Sequence, residues 1–270
     1  MNVLERKMLD ALKMGRDEFG VVAVKAEFEA EGTRPDEFLR LLELTQRADL
    51  KVALKIGGCE AVSDLLSTHL YGVDYVIAPM VETRYALSKF VDAHRKTHGR
   101  EPGRTQFLFN LETETTLRNL HDMLPLAQEG VDGIVFGRVD FTLSRGLPRT
   151  SINDREITDA VVAVAKACVA ADLELVVGGS VTGDAVDALR EVAAVRLDRF
   201  ETRKIVFDGA AINSHTIKAG LANAAEFELM WLQNKRAFYQ RIADEDVARI
   251  DMMQSRARHF VPQVRAVAVG

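Results

Sequence analysis

Two acidic residues each stand directly after an apolar run of the sequence. Glu112 follows the run that begins at Phe107, and Asp140 follows the run that begins at Gly133. Both runs have the length and the β-branched or aromatic content of buried parallel strands. Neighbouring parallel strands end at the same edge of a sheet, so the two carboxylates are expected to converge there. A single such acid is more typical of a helix cap or a loop, but the pair favours a site for Mg²⁺ or Mn²⁺.

Three further charged residues alternate along the first apolar run: Lys25, Glu27 and Glu29. Because strand residues alternate with a period of two, all three side chains are expected to point to one face, the interior of a closed sheet. Charges in such an interior are costly unless they are paired or serve a site. Glu29 is therefore a candidate for ordering a metal-bound water or carrying a proton. Glu31, further along, is predicted to be an exposed loop acid.

Two other features are candidates for anion contacts. Arg138 lies two positions before Asp140 and could meet a substrate carboxylate; a salt bridge to an acid of a neighbouring strand fits the sequence equally well. Gly178, Gly179 and Ser180 precede a helical pattern. Free N–H groups there could bind a carboxylate or phosphate of the substrate, although a simple turn requires the same glycines.

The elements that must position these residues follow a regular pattern. Alternating strand and helix patterns at intervals of roughly 25 to 35 residues indicate a parallel sheet. The 270 residues fit a single (β/α)₈ TIM barrel of roughly 250 residues. The predicted strands are 21–28, 51–56, 75–81, 106–113, 133–136, 174–177 and a stretch within 195–207; the predicted helices are 35–47, 61–71, 83–98, 115–128, 154–171 and 184–192.

The eighth strand is not clear from the pattern. The segment 195–207 could be one long strand or two short ones. Two adjacent parallel strands need a crossover of about a dozen or more residues, and this segment has no room for one. Seven strands are therefore assigned from the pattern, and the eighth is inferred from the size and rhythm of the rest.

Composition excludes several classes of protein. Hydrophobic residues make up 47% of the chain and charged residues 28%, as in an ordinary soluble enzyme. The net charge of −5 and the lack of a basic stripe argue against nucleic-acid binding. No stretch approaches the roughly 18 uncharged residues of a membrane span, and residues 1–13 form an amphipathic pattern rather than a signal peptide. Cys59 and Cys168 are too few and too isolated for disulfides or zinc, which favours a cytoplasmic protein.

The C-terminal part of the chain differs in character. Residues 212–259 are mostly helix-forming and include Trp231, Phe238 and Tyr239. We predict a catalytic barrel domain at 1–211, including an N-terminal helix, and a helical extension at 212–270. The extension exceeds what one barrel needs to cover itself. It could contact another subunit of a homo-oligomer or serve as ordinary intramolecular cover, and the sequence leaves both open.

Three motifs resemble a known family. They are Leu111-Glu112-Thr113, residues 130–142 (GVDGIVFGRVDFT) and residues 76–82 (VIAPMVE). In order and spacing they resemble the aldolase/citrate lyase family of the HpcH/HpaI type, within the phosphoenolpyruvate/pyruvate superfamily of barrels. The resemblance runs from about residue 20 to 182. It implies that Glu112 and Asp140 bind a divalent metal that chelates the carboxylate and 2-oxo group of a pyruvate-type substrate, on which an enolate forms. It also implies exchange of a C-terminal helix between subunits.

One position departs from the family pattern. The family's aldolases usually carry an arginine after the second strand, where this chain has Lys55 in the segment KIGGCEA. Lysine stabilises the same negative charge as a point donor without a bidentate fork. We expect Lys55 to face the active site, and Glu82 and the segment 201–204 to rim the pocket.

These features predict a metal-dependent carbon–carbon lyase that acts through the enolate of a small 2-oxo acid. Lys55 and Arg138 would contact the anion, and Glu29 would act as acid or base. One alternative is a Schiff-base aldolase with Lys55 or Lys25 as the nucleophile. Another is a non-catalytic barrel that binds a partner through residues 212–260.

Overall fold

The computed structural model describes residues 1–99 and 105–265, with side chains to residue 258. Within these residues eight strands form a closed barrel in sequence order, which confirms the predicted barrel fold. The strands are β1 Val21–Glu27, β2 Lys51–Lys55, β3 Tyr75–Ala78, β4 Gln106–Leu111, β5 Gly133–Gly137, β6 Glu174–Gly178, β7 Arg199–Glu201 and β8 Ile205–Asp208.

The helices alternate with the strands up to β7 and begin at recognisable capping residues. Asn2 and Glu5 form a capping box at the start of α1, and Gly20 ends that helix in the left-handed conformation. Thr83 and Thr113 cap α4 and α5 through their side chains. The helices are α1 Val3–Phe19, α2 Pro35–Arg47, α3 Val62–Tyr71, α4 Arg84–His98, α5 Glu114–Gly130, α6 Arg138–Ser144, α7 Arg155–Ala171, α8 Val186–Ala193 and α9 Ile217–Arg265.

The barrel interior is apolar in its middle and charged toward the carboxyl ends of the parallel strands. Because strand side chains alternate, one inward layer consists of small and aliphatic residues and one tyrosine. Its members are Ala23, Ala53, Tyr75, Ile77, Leu108, Val135, Val176 and Val206. Two residues beyond Ala23 and Ala53 come Lys25 and Lys55, which are also buried. The apolar layer therefore forms the floor beneath a charged upper layer.

The eighth strand runs antiparallel to both of its neighbours, β7 and β1. Only residues 202–204 separate β7 from β8, and the Thr202 N–H donates to the Ile205 carbonyl to close a tight turn. The predicted segment 195–207 thus contains two short strands. The segment has no room for the crossover that two parallel strands would need, and the antiparallel hairpin needs none. Phe200 and Phe207 stack across the pair, with ring centroids 5.0 Å apart.

The backbone divides into two compact units, Met1–Glu228 and the chain from Leu229 onward. The first unit holds the whole barrel and the first three turns of α9. The second consists of the rest of that helix. Residues 212–228 are thus compact with the barrel, while the predicted division after residue 211 stays a prediction, and 266–270 lie outside the described residues. None of the helices in the described part of the chain has the length and hydropathy that a membrane span requires.

Candidate active site

A cavity of about 840 Å³ opens at the carboxyl ends of the parallel strands. This is the end of a (β/α)₈ barrel at which the loops of such enzymes assemble their chemistry. Side chains from β1, β2 and β7 line it, together with residues that follow β4, β5 and β6. Most of its ionisable groups are carboxylates and lysines, and no histidine lines it within the described residues.

Glu112 is the most thoroughly bonded carboxylate of the cavity and is only 2% exposed. Its Oε1 accepts from the Met80 N–H at 2.9 Å, and its Oε2 accepts from Asn110 Nδ2 at 2.6 Å and Lys55 Nζ at 3.3 Å. The cap of α5 is Thr113, so Glu112 is not a helix cap. Met80 adopts a left-handed backbone with φ of +51°, a strained conformation typical of functional sites, and it directs its N–H at the carboxylate.

Asp140 lies in the first turn of α6 and borders the same cavity as Glu112, as the sequence predicts. It has no hydrogen bond or ion pair among the described residues. Burial raises the pKa of its carboxyl, and the negative charge of Glu112 raises it further, while Lys55 opposes the shift. A second carboxylate close to Glu112 is suited to sharing a cation with it. No cluster of three or more His, Cys, Asp or Glu side chains that could hold a metal occurs within the described ranges.

Lys55 points into the barrel, as predicted, and bridges two carboxylates. Its ammonium lies 3.3 Å from Glu112 Oε2 and 3.2 Å from Glu29 Oε2. Burial opposes the charge, but the adjacent carboxylates outweigh it and raise the pKa of Lys55. Lys55 is therefore a stable cation beside Glu112. Glu29 is partly exposed and is held at Lys55 by this contact.

The charged residues of β1 also face inward, as the alternation predicts. Lys25 Nζ lies 2.5 Å from Glu201 Oε1 and 3.2 Å from Glu27 Oε1. Burial opposes the charge on Lys25, but the two carboxylates outweigh it and raise the pKa of Lys25 well above its ordinary value. Of the predicted rim segment 201–204, Glu201, Thr202 and Arg203 border the cavity.

Arg138 has partners other than those we expected. Its guanidinium is buried outside the cavity and donates to the carbonyls of Gly178 and Gly179 and to Asn153 Oδ1. Burial lowers the pKa of Arg138 to about 10. Arg138 thus does not border the cavity, and it makes no salt bridge among the described residues. It fixes the backbone of the turn after β6.

The turn after β6 does line the cavity, and Gly178, Gly179 and Ser180 all border it. Gly179 and Ser180 have φ of +87° and +49°. A side chain at Gly179 would come within 2.8 Å of the Val139 amide nitrogen, so this close approach requires glycine. Glu82 is placed differently, since it accepts from the Thr113 hydroxyl and does not border the cavity.

The sequence analysis missed one residue near the site, Asn110, and predicted the environment of another, Glu31, wrongly. The Asn110 side chain donates to Glu112 and orients it. The sequence could have predicted this contact, because Asn110 lies two residues before Glu112 and strand alternation places both side chains on one face. The Asn110 Oδ1 is buried and has no hydrogen-bond partner within the described residues. The prediction that Glu31 is an exposed loop acid is wrong. Its side chain is 13% exposed and accepts from Lys204 and from Arg203 Nε.

A family model described as HpcH/HpaI aldolase/citrate lyase matches residues 37–201. That range is more than half of the 270 residues and includes Lys55, Glu112 and Asp140. The chain belongs to the HpcH/HpaI aldolase/citrate lyase family. Membership of this family indicates an aldolase or lyase activity in general terms. The charged residues of β1 precede the matched range, so the family model says nothing of them.

A solved structure supports the same fold. The crystal structure of an HpcH/HpaI aldolase from Desulfitobacterium hafniense DCB-2 is similar with a TM-score of 0.57. The two proteins are 13% identical, and the match covers 78% of this chain and 86% of that chain. At this identity the likeness concerns the fold alone. No curated protein matches this sequence.

Proposed function

We propose that this family member is a carbon–carbon lyase, an aldolase or an aldol-type condensing enzyme, that depends on a divalent metal. Its substrate would be a small 2-oxo acid that reacts through a pyruvate-type enolate. The observation that carries the proposal is the shared border of Glu112 and Asp140 on one cavity, with the Lys55 ammonium beside them. Breaking a carbon–carbon bond next to a ketone leaves an electron pair that needs positive charge nearby.

The donor set fits Mg²⁺ or Mn²⁺. Mg²⁺ is commonly held by one or two carboxylates together with water and substrate oxygens. Glu112 and Asp140 would supply the two carboxylates, and Asp140 has no competing partner within the described residues. A cation held there supplies positive charge to the 2-oxo oxygen as that oxygen becomes anionic.

The other side chains divide the remaining tasks. Lys55 adds a second positive charge, and Glu29 beside it is partly exposed and so can exchange a proton with solvent. The backbone at Gly178, Gly179 and Ser180 faces the cavity and would bind the substrate carboxylate. Arg138 is a positioning residue for that backbone, because its guanidinium holds the carbonyls of Gly178 and Gly179.

The test measures chemistry on the 2-oxo acid alone. With Mn²⁺ or Mg²⁺ present, the purified protein is expected to decarboxylate oxaloacetate and to exchange the C3 hydrogens of pyruvate for deuterium. Glu112→Gln and Asp140→Asn should abolish both reactions, because each removes one charged ligand and keeps the shape of the side chain. Metal affinity, measured by calorimetry, should fall in the same variants.

The matched control is Glu226→Gln, which makes the same substitution on an exposed residue of α9. It should leave both reactions and metal affinity unchanged. If either site variant keeps normal metal affinity and turnover, that residue is not a ligand. If the wild type shows no metal-dependent exchange with pyruvate, the proposed function is wrong.

A further inference from the structure

A second group of charged side chains borders the cavity and has no part in the proposed chemistry at the 2-oxo acid. It consists of Lys25 and Glu27 on β1 and Glu201 on β7, all at most 9% exposed. The ammonium lies between the two carboxylates, at 2.5 Å from Glu201 and 3.2 Å from Glu27. A buried ion-pair group of this kind contributes little net stability compared with well-packed apolar residues. Its presence in the wall of a cavity therefore calls for a role.

The group retains unused hydrogen-bonding capacity. An ammonium has three donors, and the shortest contact of Lys25 Nζ to each glutamate is the one to its Oε1. No hydrogen bond among the described residues uses Oε2 of Glu27 or Glu201. On β4, Asn110 borders the same cavity, and its Oδ1 has no hydrogen-bond partner within the described residues. Both acceptors and a donor are thus available to a ligand.

The group lies directly beside the proposed reaction site. Glu27 and Lys55 are register partners on the neighbouring strands β1 and β2. Burial opposes ionisation of Glu27, but Lys25 and Lys55 outweigh it and lower the pKa of that carboxyl. A substrate whose 2-oxo group lies at Lys55 would have Glu27 directly beside it, with Lys25 next to Glu27.

We propose that Lys25, Glu27 and Glu201 form a second subsite that binds hydroxyl groups on the aldehyde partner of the 2-oxo acid. This inference rests on the proposed function and names its second substrate as a hydroxylated aldehyde. A hydroxyl both donates and accepts, so it matches free carboxylate oxygens and a free ammonium donor together. An unsubstituted alkyl chain would leave these groups desolvated and unpaired. A carboxylate would meet the net negative charge of one ammonium and two glutamates.

The bonds in the reaction balance without a further reactant. The new bond joins C3 of pyruvate to the aldehyde carbon. C3 loses one proton, and the aldehyde oxygen gains one. The hydroxyls of the aldehyde are spectators that orient the acceptor carbon.

The test compares aldehydes of equal chain length. With pyruvate and Mn²⁺, kcat/KM is measured for glyceraldehyde against propanal and for erythrose against butanal. Wild type is expected to prefer the hydroxylated member by about 10²-fold or more, because a site built for a hydroxyl strongly rejects the analogue that lacks it. Glu201→Gln and the less buried Glu27→Gln should each reduce that ratio at least about tenfold, while Glu226→Gln leaves it unchanged.

The ratio is independent of the folded fraction of a preparation, since both aldehydes meet the same enzyme. The intrinsic reactivity of the aldehydes is also the same for every variant. If either glutamate variant is too unstable to purify, the other gives the ratio. Unchanged ratios, or a preference for the unsubstituted aldehydes, would overturn the subsite while C3 exchange of pyruvate persists. Loss of exchange in the wild type would instead overturn the proposed function, and the subsite with it.

Discussion

In the proposed mechanism, Lys55 would polarise the 2-oxo group of the substrate. Its ammonium lies between Glu112 and Glu29, so its charge is fixed at the point where negative charge would develop. We expect Lys55→Met to lower kcat on the order of 10²–10³-fold, with a smaller change in KM. Lys55→Arg should restore part of the rate because it keeps the charge. Steady-state kinetics of oxaloacetate decarboxylation by the three proteins provide the measurement.

The same series separates the proposed chemistry from a Schiff-base mechanism. A Schiff base requires a neutral amine, whereas neighbouring carboxylates overcome burial and raise the pKa of both Lys55 and Lys25. Borohydride added with pyruvate and a chelator is expected to give no covalent adduct by mass spectrometry. An adduct on either lysine, together with a dead Lys55→Arg variant, would favour the imine.

At the scale of single residues, the sequence predicts the location of those side chains whose direction is set by strand alternation or by the end of a strand. Glu112, Asp140, Lys55 and Glu29 reach one cavity because each stands at or beyond the end of an inward-facing strand pattern. Arg138 could not be placed in this way. It starts a helix rather than continuing a strand, and its partners are carbonyls of a turn 40 residues away in sequence.

Among the elements, the β7–β8 hairpin carries Glu201 into the site and is fixed by α9. Glu228 Oε1 accepts from the Thr202 hydroxyl at 2.6 Å and from the Lys204 N–H at 2.9 Å. Glu228→Ala is expected to lower the free energy of unfolding by about 1–3 kcal/mol, because the Lys204 N–H loses its acceptor and the Thr202 hydroxyl keeps only the longer bond to the Ile205 carbonyl at 3.4 Å. Urea denaturation followed by circular dichroism measures the change.

Glu228→Gln keeps an oxygen acceptor and should retain most of that stability. Glu226→Ala, two residues away on the exposed face, controls for the loss of a glutamate from the helix. Equal stabilities for Glu226→Ala and Glu228→Ala would show that the carboxylate does not fix the hairpin.

Helix α4 contains a titratable group whose burial predicts a pH dependence of stability. His94 is 6% exposed, stacks on Phe107 with centroids 4.1 Å apart and donates from Nε2 to the Gly130 carbonyl. Burial lowers the pKa of His94 from 6.5 to about 4. Below pH 6.5 this histidine binds a proton in the unfolded chain but stays neutral in the native state. The free energy of unfolding therefore falls as the pH drops from 6.5 to 4, by up to about 3 kcal/mol.

The variant His94→Gln isolates this contribution. Glutamine places a donor near the Nε2 position and does not titrate. We expect His94→Gln to be less stable than wild type at pH 7. At pH 4 the difference in the free energy of unfolding between the two proteins should be smaller or reversed. Chemical denaturation at a series of pH values provides the comparison. A constant difference between the two proteins from pH 7 to pH 4 would contradict a buried neutral histidine.

At this scale the sequence predicts seven strands and their helices but not the direction of the eighth. Hydrophobic periodicity reports that a segment is buried, and it carries no sign of which way the strand runs. The direction of β8 follows from the short turn at residues 202–204, where spacing excludes a parallel neighbour. The hairpin then depends on contacts with Glu31 and Glu228, which are distant in sequence.

At the scale of the whole molecule, the part of α9 from Leu229 onward exposes a long apolar surface. From Leu229 to Arg265 it would extend for about 55 Å. Single helices in water owe most of their stability to packing of an apolar face. The large apolar side chains exposed along this part are Leu229, Leu232, Phe238, Ile242, Val247, Ile250, Met252 and Met253. So many exposed apolar residues on one element indicate an interaction surface.

We predict that the protein is a homo-oligomer in which residues 212–260 contact a neighbouring subunit. Sedimentation velocity at micromolar concentration should show a mass above that of one chain. Ile250→Glu should shift the distribution toward monomer, because it places a charge within the apolar surface. Ala248→Glu adds the same charge at an exposed position on the opposite side of the helix from Ile250 and should leave the mass unchanged. A strictly monomeric wild type would exclude the contact.

An oligomer with no affinity for Mg²⁺ or Mn²⁺ would instead favour a barrel that serves only as a binding scaffold.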